Sequence, residues 1–159
     1  MQAVPEGLSP VTNFDKQRYL GTWYEIARYD HPFERGLDAI TATYNILNDG
    51  AIEVINRGVD SSTGEIDEAS GKAYFVQNEQ VGHLKVSFFG PFYASYVVVA
   101  LDEQDYQWAL VTGPTREYFW ILSRTSDMQK ELLNELISMA EDMGFQRSKL
   151  IFVNHDKNT

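Results

Sequence analysis

The strongest constraint on the fold is a series of turn signals that recur at short intervals along most of the chain. Asn48-Asp49-Gly50 is typical of a tight β-hairpin, because such a turn needs residues that tolerate positive φ. Turns rich in Gly, Pro, Asp and Ser follow around Gly64, Gly90 and Gly113. The segments between the turns are rich in Val, Ile, Tyr, Phe and Thr and have the length of ordinary strands. We predict eight strands, at 22–30, 40–47, 51–59, 70–77, 83–89, 93–101, 106–113 and 117–124.

Strands joined by short turns form an antiparallel up-and-down meander, and a sheet of this many strands either closes into a barrel or splits into a sandwich. Ala42, Tyr44 and Ile46 alternate with polar residues, as expected of a strand with one face toward an enclosed interior. The segments 96–101 and 118–122 are instead apolar on both faces, so their outer side must be covered.

After Arg124 the apolar period becomes helical. Ser126-Asp-Met-Gln129 has the form of a capping box with Ser126 as the N-cap, and apolar residues then recur at helical spacing as far as Gly144. A short final strand is predicted over 149–154. The apolar stripe of the helix is one cover for the two-faced strands, and a second copy of the chain, forming a homodimer, is the other. Residues 1–12 are predicted to form a flexible arm and residues 13–159 a single domain.

Composition excludes several function classes. The formal net charge of −10 argues against nucleic acid as a partner, since binding to phosphates needs clustered Lys and Arg. The chain has no cysteine, which removes disulfides, thiolate nucleophiles and Cys-ligated metals. His31, His83 and His155 are scattered without metal-ligand spacing, so neither a metal nor a cofactor is predicted. The best apolar run, Tyr96 to Leu101, is much shorter than the ~18 residues of a membrane span.

Two motifs lie at the ends of the predicted barrel. Gly21-Thr-Trp23-Tyr opens the first strand, and Trp120-Ile-Leu-Ser-Arg124 places an arginine at the end of the eighth. With the following helix, these motifs make residues 13–153 resemble the lipocalin family, although its usual Thr-Asp-Tyr motif is loosened here to Leu101–Tyr106. The chain resembles most the bacterial outer-membrane (Blc-type) lipocalin group, which is related to apolipoprotein D and to plant temperature-induced lipocalins. The shared segments are Gly21–Arg28, Phe33–Gly36, Gly71–Phe75 and Leu84–Tyr93.

The resemblance implies an all-β, eight-stranded antiparallel up-and-down barrel with one C-terminal α-helix and a short final strand. It also implies non-enzymatic binding and transport or storage of fatty acids and lysophospholipids, in membrane maintenance at the cell envelope. Bacterial members begin with a signal peptide and a lipidated cysteine. We therefore expect an outer-membrane or periplasmic lipoprotein whose signal and anchor are missing from the sequence. The lipocalin-like prostaglandin synthase uses a cysteine, which is absent here. The alternative function is a scaffold that acts through a dimer or protein interface and binds a small hydrophobic ligand other than lipid.

Strand parity predicts the residues of the site. Trp23 and Arg124 are expected to stack at the closed end as a structural pair with Gly21, in a cation–π contact. Ala27 and Glu25 share the parity of Trp23 and are expected inside the barrel. The predicted ligand-binding residues, along the lumen and around its mouth, are Phe33, Tyr44, Val54, Phe75, Val86, Phe88, Tyr93, Tyr96, Leu110, Arg116, Tyr118, Trp120 and Leu122.

Three alternatives stay open at this point. A small barrel is either filled by its own side chains or holds one small ligand. Arg116 either pairs with a ligand carboxylate or phosphate at the mouth or is a solvated loop residue bonded to Glu117. Glu25 needs a partner or a raised pKa if it is buried, and that partner is either a protein group or the ligand.

Overall fold

The computed structural model of the chain describes residues 3–156, so the first two residues of the predicted arm and the last three of the predicted domain lie outside the described residues. In chain order the elements are α1 (Lys16–Tyr19), β1 (Gly21–Arg28), β2 (Leu37–Ile46), β3 (Ile52–Asp60), β4 (Ile66–Phe75), β5 (His83–Phe89), β6 (Phe92–Leu101), β7 (Trp108–Thr112), β8 (Phe119–Ser123), α2 (Lys130–Asp142), a 3₁₀ turn (Arg147–Lys149) and β9 (Ile151–Phe152).

The eight long strands form a closed antiparallel barrel. Consecutive strands pair with each other from β2 through β8, and β1 closes the barrel by pairing with both β8 and β2. The short β9 adds to β1 at Ala27 and Arg28. The predicted barrel, C-terminal helix and final strand are therefore confirmed. Val11, in the predicted arm, donates its N–H to the carbonyl of Val98 over 2.9 Å and accepts one from Gly82 over 2.9 Å.

The barrel wall separates two apolar cores. The inner core fills the lower lumen and includes Trp23, Tyr44 and Leu122. The outer core lies between the wall and α2, where Phe119 and Ile121 pack with Leu136 and other apolar residues of the helix. The helix thus covers the strands that are apolar on both faces, as its apolar stripe predicts.

The elements differ from the prediction mainly at their ends. The capping box predicted at Ser126 is wrong, because α2 begins only at Lys130 and its N-cap, Gln129, makes no side-chain capping bond. The preceding residues form a turn in which the Thr125 hydroxyl donates to the carbonyl of Asp127 over 2.6 Å. The unpredicted α1 is capped by Asp15, whose carboxylate accepts from the backbone of Gln17 over 3.0 Å.

The closed end of the barrel is held by a tryptophan and an arginine, as predicted. The guanidinium of Arg124 lies 3.9 Å from the centroid of the Trp23 ring. It also donates to the carbonyls of Arg18 over 2.6 Å and Thr22 over 3.1 Å. The Trp23 indole, which is fully buried, donates to the carbonyl of Tyr19 over 2.8 Å. These bonds join α1, β1 and the end of β8 into one rigid floor.

Gly21 is required at this floor by its backbone conformation. Its φ is +99°, and a Cβ there would lie 3.4 Å from Nη1 of Arg124. We expect Gly21→Ala to lower the free energy of unfolding by about 1–3 kcal/mol, measured by urea denaturation, because alanine at this φ strains the backbone, whereas its Cβ would be in ordinary van der Waals contact with Arg124. Gly50→Ala is the matched control, since Gly50 has a φ of +85° and nothing within 4 Å. We expect similar losses in the two variants, and a much larger loss in Gly21→Ala would contradict an effect of the backbone alone.

Candidate functional site

The lumen contains a narrow apolar cavity above the floor. Its volume is only about 10 Å³. The cavity is enclosed by residues of α1, of five strands and of the segment before α1: Phe14, Tyr19, Tyr44, Ile52, Ala73, Leu84, Val86 and Tyr96. This volume is far below the ~300–1,000 Å³ found for small-molecule pockets, so the side chains of the inner core nearly fill this part of the barrel. A ligand can enter here only when these side chains move apart, and a slender apolar molecule requires the smallest movement.

Three tyrosine hydroxyls meet inside the lumen. The Tyr96 hydroxyl lies 2.6 Å from that of Tyr19 and 2.8 Å from that of Tyr44. Burial raises the pKa of all three hydroxyls, so each keeps its proton at neutral pH. Three hydroxyls in a row use two of their three protons between themselves. One of the three O–H groups is therefore not used within this trio.

Above the tyrosines lies a cluster of buried charged and polar side chains. Glu34, in the loop between β1 and β2, accepts on one oxygen from Nε2 of His31 over 2.6 Å and from the indole N–H of Trp120 over 3.0 Å. Arg28 donates to the carbonyl of Glu34 over 3.1 Å, and its Nε lies 4.0 Å from the Glu34 carboxylate. Glu25, Arg28, His31 and Glu34 are each at most 8% exposed, so water screens their charges only weakly.

The two glutamates of this cluster differ in protonation. Burial, followed by the charge of Glu34, raises the pKa of Glu25 well above its usual range, although Arg28 opposes the shift. Burial also acts to raise the pKa of Glu34, but hydrogen bonds from Glu25, His31 and Trp120 together lower it. A proton shared by the two carboxyl groups therefore stays on Glu25 in preference to Glu34.

Several atoms of the cluster have unused hydrogen-bonding capacity. Of the four buried side-chain atoms without a hydrogen-bond partner in residues 3–156, three belong to this cluster: Oε1 of Glu25, Nε of Arg28 and Nδ1 of His31. Buried polar atoms are normally bonded to protein or to water. A group of such atoms beside an apolar cavity is typical of a site that receives the polar part of a ligand.

Most of the predicted ligand-binding residues lie along the lumen or at its top. Phe33 lies in the loop between β1 and β2 and is 75% exposed. Tyr118 stacks on Trp120 with ring centroids 6.4 Å apart. The predicted residues that belong to the inner core or pack against it are Tyr44, Val54, Phe75, Val86, Phe88, Tyr96, Trp120 and Leu122. Contact of these side chains with a ligand stays a prediction.

The inward positions predicted for Ala27 and Leu110 are wrong. A register shift in β1 between Glu25 and Ala27 turns Ala27 outward, opposite Ile121. Leu110 also pairs with Ile121 and faces α2 in the outer core. Because β7 is apolar on both faces under the helix, its sequence pattern does not show which face is inside.

The positions predicted for Tyr93 and Arg116 are also wrong. Tyr93 packs against Tyr74 and under the ammonium group of Lys85, which lies on the outer face of β5. Arg116 donates from Nε to the carbonyl of Met143 over 2.7 Å, just after the last residue of α2. The negative end of the helix dipole and its unpaired carbonyls attract the guanidinium away from the mouth. The Arg116 guanidinium is therefore turned away from the lumen, and the bond described for it is to Met143 rather than to Glu117.

The sequence prediction missed Arg28, His31 and Glu34 as site residues. In a strand that alternates without interruption, Arg28 would point outward. The register shift in β1 turns it inward instead, opposite Trp120. Glu34 lies in the segment Phe33–Gly36 that carries part of the family resemblance, which was the one available signal. No group of His, Asp or Glu suited to a metal ion occurs in residues 3–156. Within the same range, no helix is long and apolar enough to cross a membrane.

A closed barrel with an apolar cavity below a buried polar cluster defines a class of proteins that bind small hydrophobic ligands. Residues 14–155 match the Lipocalin-like domain, and the chain belongs to the lipocalin family. It is 52% identical to the outer membrane lipoprotein Blc of Vibrio cholerae over 150 residues, covering 94% of this chain and 88% of that protein. It is 32% identical to mouse apolipoprotein D over 147 residues, covering 87% and 75% of the two chains.

The fold is also shared with a solved structure of low sequence identity. Insecticyanin from the tobacco hornworm Manduca sexta superposes with a TM-score of 0.78 at 19% identity, covering 99% of this chain and 89% of that one. Identity at this level shows the fold alone. The lipocalin barrel predicted from the Gly-x-Trp motif and the terminal arginine is thus confirmed by both kinds of comparison.

Proposed function

We propose that the protein is a non-enzymatic carrier of single-chain lipids, such as fatty acids and lysophospholipids, in its barrel cavity. The observation that carries this proposal is the narrow apolar cavity, which lies beside hydrogen-bonding groups. Apolar side chains around the cavity suit an acyl chain, since each buried CH₂ contributes about 0.8 kcal/mol. Because the cavity measures only about 10 Å³, the inner-core side chains must move apart to admit a ligand, and one chain requires less movement than two. Tyrosine hydroxyls and the cluster of Glu25 and Glu34 supply polar contacts for the head of the same molecule.

The relatives support a place at the cell envelope. The Vibrio cholerae relative, which is 52% identical, is named an outer membrane lipoprotein. We propose that this protein likewise works at the outer membrane or in the periplasm as an anchored lipoprotein, moving or storing lipids released during membrane maintenance. A role as a scaffold is less well supported, because α2 covers the apolar outer faces that suggested a dimer.

Native mass spectrometry of the purified protein, with extraction of any bound lipid, tests the proposal directly. We expect a co-purifying single-chain lipid, or uptake of added fatty acid or lysophospholipid with a rise in melting temperature. If no lipid co-purifies and neither lipid binds, the carrier function is wrong. Release of free fatty acid from added lysophospholipid would instead show a lipase.

The top of the lumen can be tested with one substitution. Trp120 packs against the inner core, stacks on Tyr118 and donates to Glu34. We expect Trp120→Ala to weaken lysophospholipid binding about tenfold or more, measured by titration calorimetry, because a large apolar surface and a bond that positions Glu34 are both lost. Trp108→Ala is the control, since Trp108 packs against the outer core. Unchanged affinity in Trp120→Ala would remove this residue from the site.

A further inference from the structure

The three tyrosine hydroxyls that meet in the lumen join opposite sides of the barrel. Strands β2 and β6 face each other, because β3, β4 and β5 lie between them on one side of the ring and β7, β8 and β1 on the other. The hydroxyls of Tyr44 on β2 and Tyr96 on β6 nevertheless lie 2.8 Å apart, and that of Tyr19 on α1 lies 2.6 Å from that of Tyr96. Tyr96 thus connects its own wall to the far wall and to the floor. We call these three residues the tyrosine bridge.

The tyrosine bridge lies where the lumen changes from open to packed. Tyr96 shares the inward face of β6 with Ala94, on the side of the mouth, and with Val98, on the side of the floor. Ala94 is exposed, whereas Val98 is fully buried. The inward face of β4 shows the same change, because Ala69 is exposed and Ala73 is buried. An acyl chain that enters from the mouth therefore meets the tyrosine bridge at the boundary of the packed region.

The cavity in the packed region can widen only if the tyrosines of the bridge move. Tyr19, Tyr44 and Tyr96 all line this cavity, together with five apolar side chains. Its volume of about 10 Å³ is barely enough for one water molecule and is too small for an acyl chain. Each ring of the bridge is joined to another through its hydroxyl. Moving the rings apart to admit a chain therefore breaks the hydrogen bonds of the bridge.

The hydroxyl groups contribute to the bridge rather than to the apolar lining of the cavity. Phenylalanine at the same three positions would present a similar apolar ring without burying a polar group. In residues 3–156 the three hydroxyls bond to one another, and Tyr19 and Tyr44 are only 4% and 6% exposed. A buried hydroxyl that loses its partner is unfavourable, because it loses a hydrogen bond that water cannot replace. Opening the bridge therefore adds a fixed cost to ligand binding.

We propose that the tyrosine bridge is a gate that selects long acyl chains, and that Tyr96 is its specificity-determining residue. This inference rests on the proposed carriage of single-chain lipids and adds the length of the chain to it. The cost of opening the bridge is the same for every chain, whereas each buried CH₂ raises the affinity about fourfold. A short chain therefore stays on the mouth side of the closed bridge. Only a long chain offsets the cost and enters the widened cavity.

A series of saturated lysophospholipids with one head group tests the gate by calorimetric titration, below the concentrations at which they form micelles. For the unaltered protein, we expect the affinity to rise only slowly among short chains, because the open part of the lumen buries them only partly. Beyond a threshold length it should rise about fourfold per CH₂. An even rise from the shortest chain onward would overturn the gate but leave lipid carriage intact. Failure of every member to bind would overturn both proposals.

One substitution removes the hydrogen bonds of the bridge and keeps its rings. Tyr96→Phe deletes the central hydroxyl, so we expect short chains to bind about tenfold more tightly than they bind the unaltered protein and the threshold to disappear. Tyr74→Phe is the matched control, because Tyr74 lies on the outer face of β4, beside Tyr93 and opposite Lys85. This control should keep the threshold. A threshold that persists in Tyr96→Phe, or one that is lost in both variants, would overturn the gate.

The tyrosines of the unaltered protein give a readout that does not depend on how well a variant folds. Nuclear magnetic resonance of tyrosine labelled at Cζ, the carbon that bears the hydroxyl, reports on the hydrogen bonds of the bridge. A long lysophospholipid should shift the signals of Tyr19, Tyr44 and Tyr96, because the chain opens the bridge. A short one should leave the three signals in place. A long chain that binds without shifting them would overturn the gate, whatever the variants show.

Discussion

Replacement of Trp23 by alanine is expected to lower the free energy of unfolding by about 3–5 kcal/mol, the largest loss expected of a single aromatic side chain in a core. Trp23 is fully buried, and its indole joins α1 to β1 through the carbonyl of Tyr19. Its face also carries the guanidinium of Arg124 at 3.9 Å. Removing the ring leaves a void at the floor and frees a charged side chain. The melting temperature should fall by about 10 °C or more, as measured by calorimetry.

Trp120→Ala serves as the matched comparison for this variant. Trp120 is only partly buried and lies at the other end of the lumen, so the same substitution should lower stability less. The two variants should therefore separate: Trp23→Ala loses stability, and Trp120→Ala loses affinity for lipid. A Trp23→Ala protein as stable as Trp120→Ala would show that the floor does not depend on the ring.

The barrel could be predicted because its sequence signals are local and repeated. Each turn joins two neighbouring strands, so the order of turns and β-rich segments determines the order of strands in a meander. The floor was predictable for a related reason. Trp23 and Arg124 lie at opposite ends of the barrel sequence, and closure of the sheet through β1 and β8 necessarily brings those ends together.

The face of the barrel wall on which each residue lies was less predictable, because one extra residue in a strand reverses the faces of all residues after it. The register shift in β1 exchanges Ala27 and Arg28 between the two faces, and no residue type in the sequence marks the shift. Leu110 shows a second limit. Both faces of β7 are buried, one by the lumen and one by α2, so apolar residues occur on both and parity carries no information.

Long polar side chains near loops were the hardest to place. Arg116 lies in the loop between β7 and β8, yet its guanidinium binds a carbonyl at the end of α2, whose position depends on the packing of the whole helix. The carboxyl cluster has a similar origin. It combines Glu25 of β1, Glu34 of a loop and Trp120 of β8, and only the closed barrel brings these three together.

Two leucines on opposite faces of the barrel wall test which face of the wall surrounds the ligand. Leu110 is fully buried in the outer core and Leu122 is 3% exposed in the inner core. We expect Leu110→Ala and Leu122→Ala each to lower the free energy of unfolding by about 2–5 kcal/mol in urea denaturation, because each leaves a void among packed side chains. Their stability losses should thus be similar, although Leu110 lies under α2 and Leu122 beside the lumen.

The effects of the same two variants on ligand binding should differ. Leu122→Ala adds its void to the lumen, so it should bind longer chains more tightly than the parent protein does, by up to about 0.8 kcal/mol for each additional buried CH₂. Leu110→Ala places its void beneath α2, where no chain in the lumen can reach it, and should keep the parent's profile of affinity against chain length. Calorimetric titration with a series of saturated lysophospholipids measures both profiles. A changed profile in Leu110→Ala, or an unchanged one in Leu122→Ala, would mean that the ligand does not lie where the cavity is, because the two substitutions differ only in the side of the wall that they open.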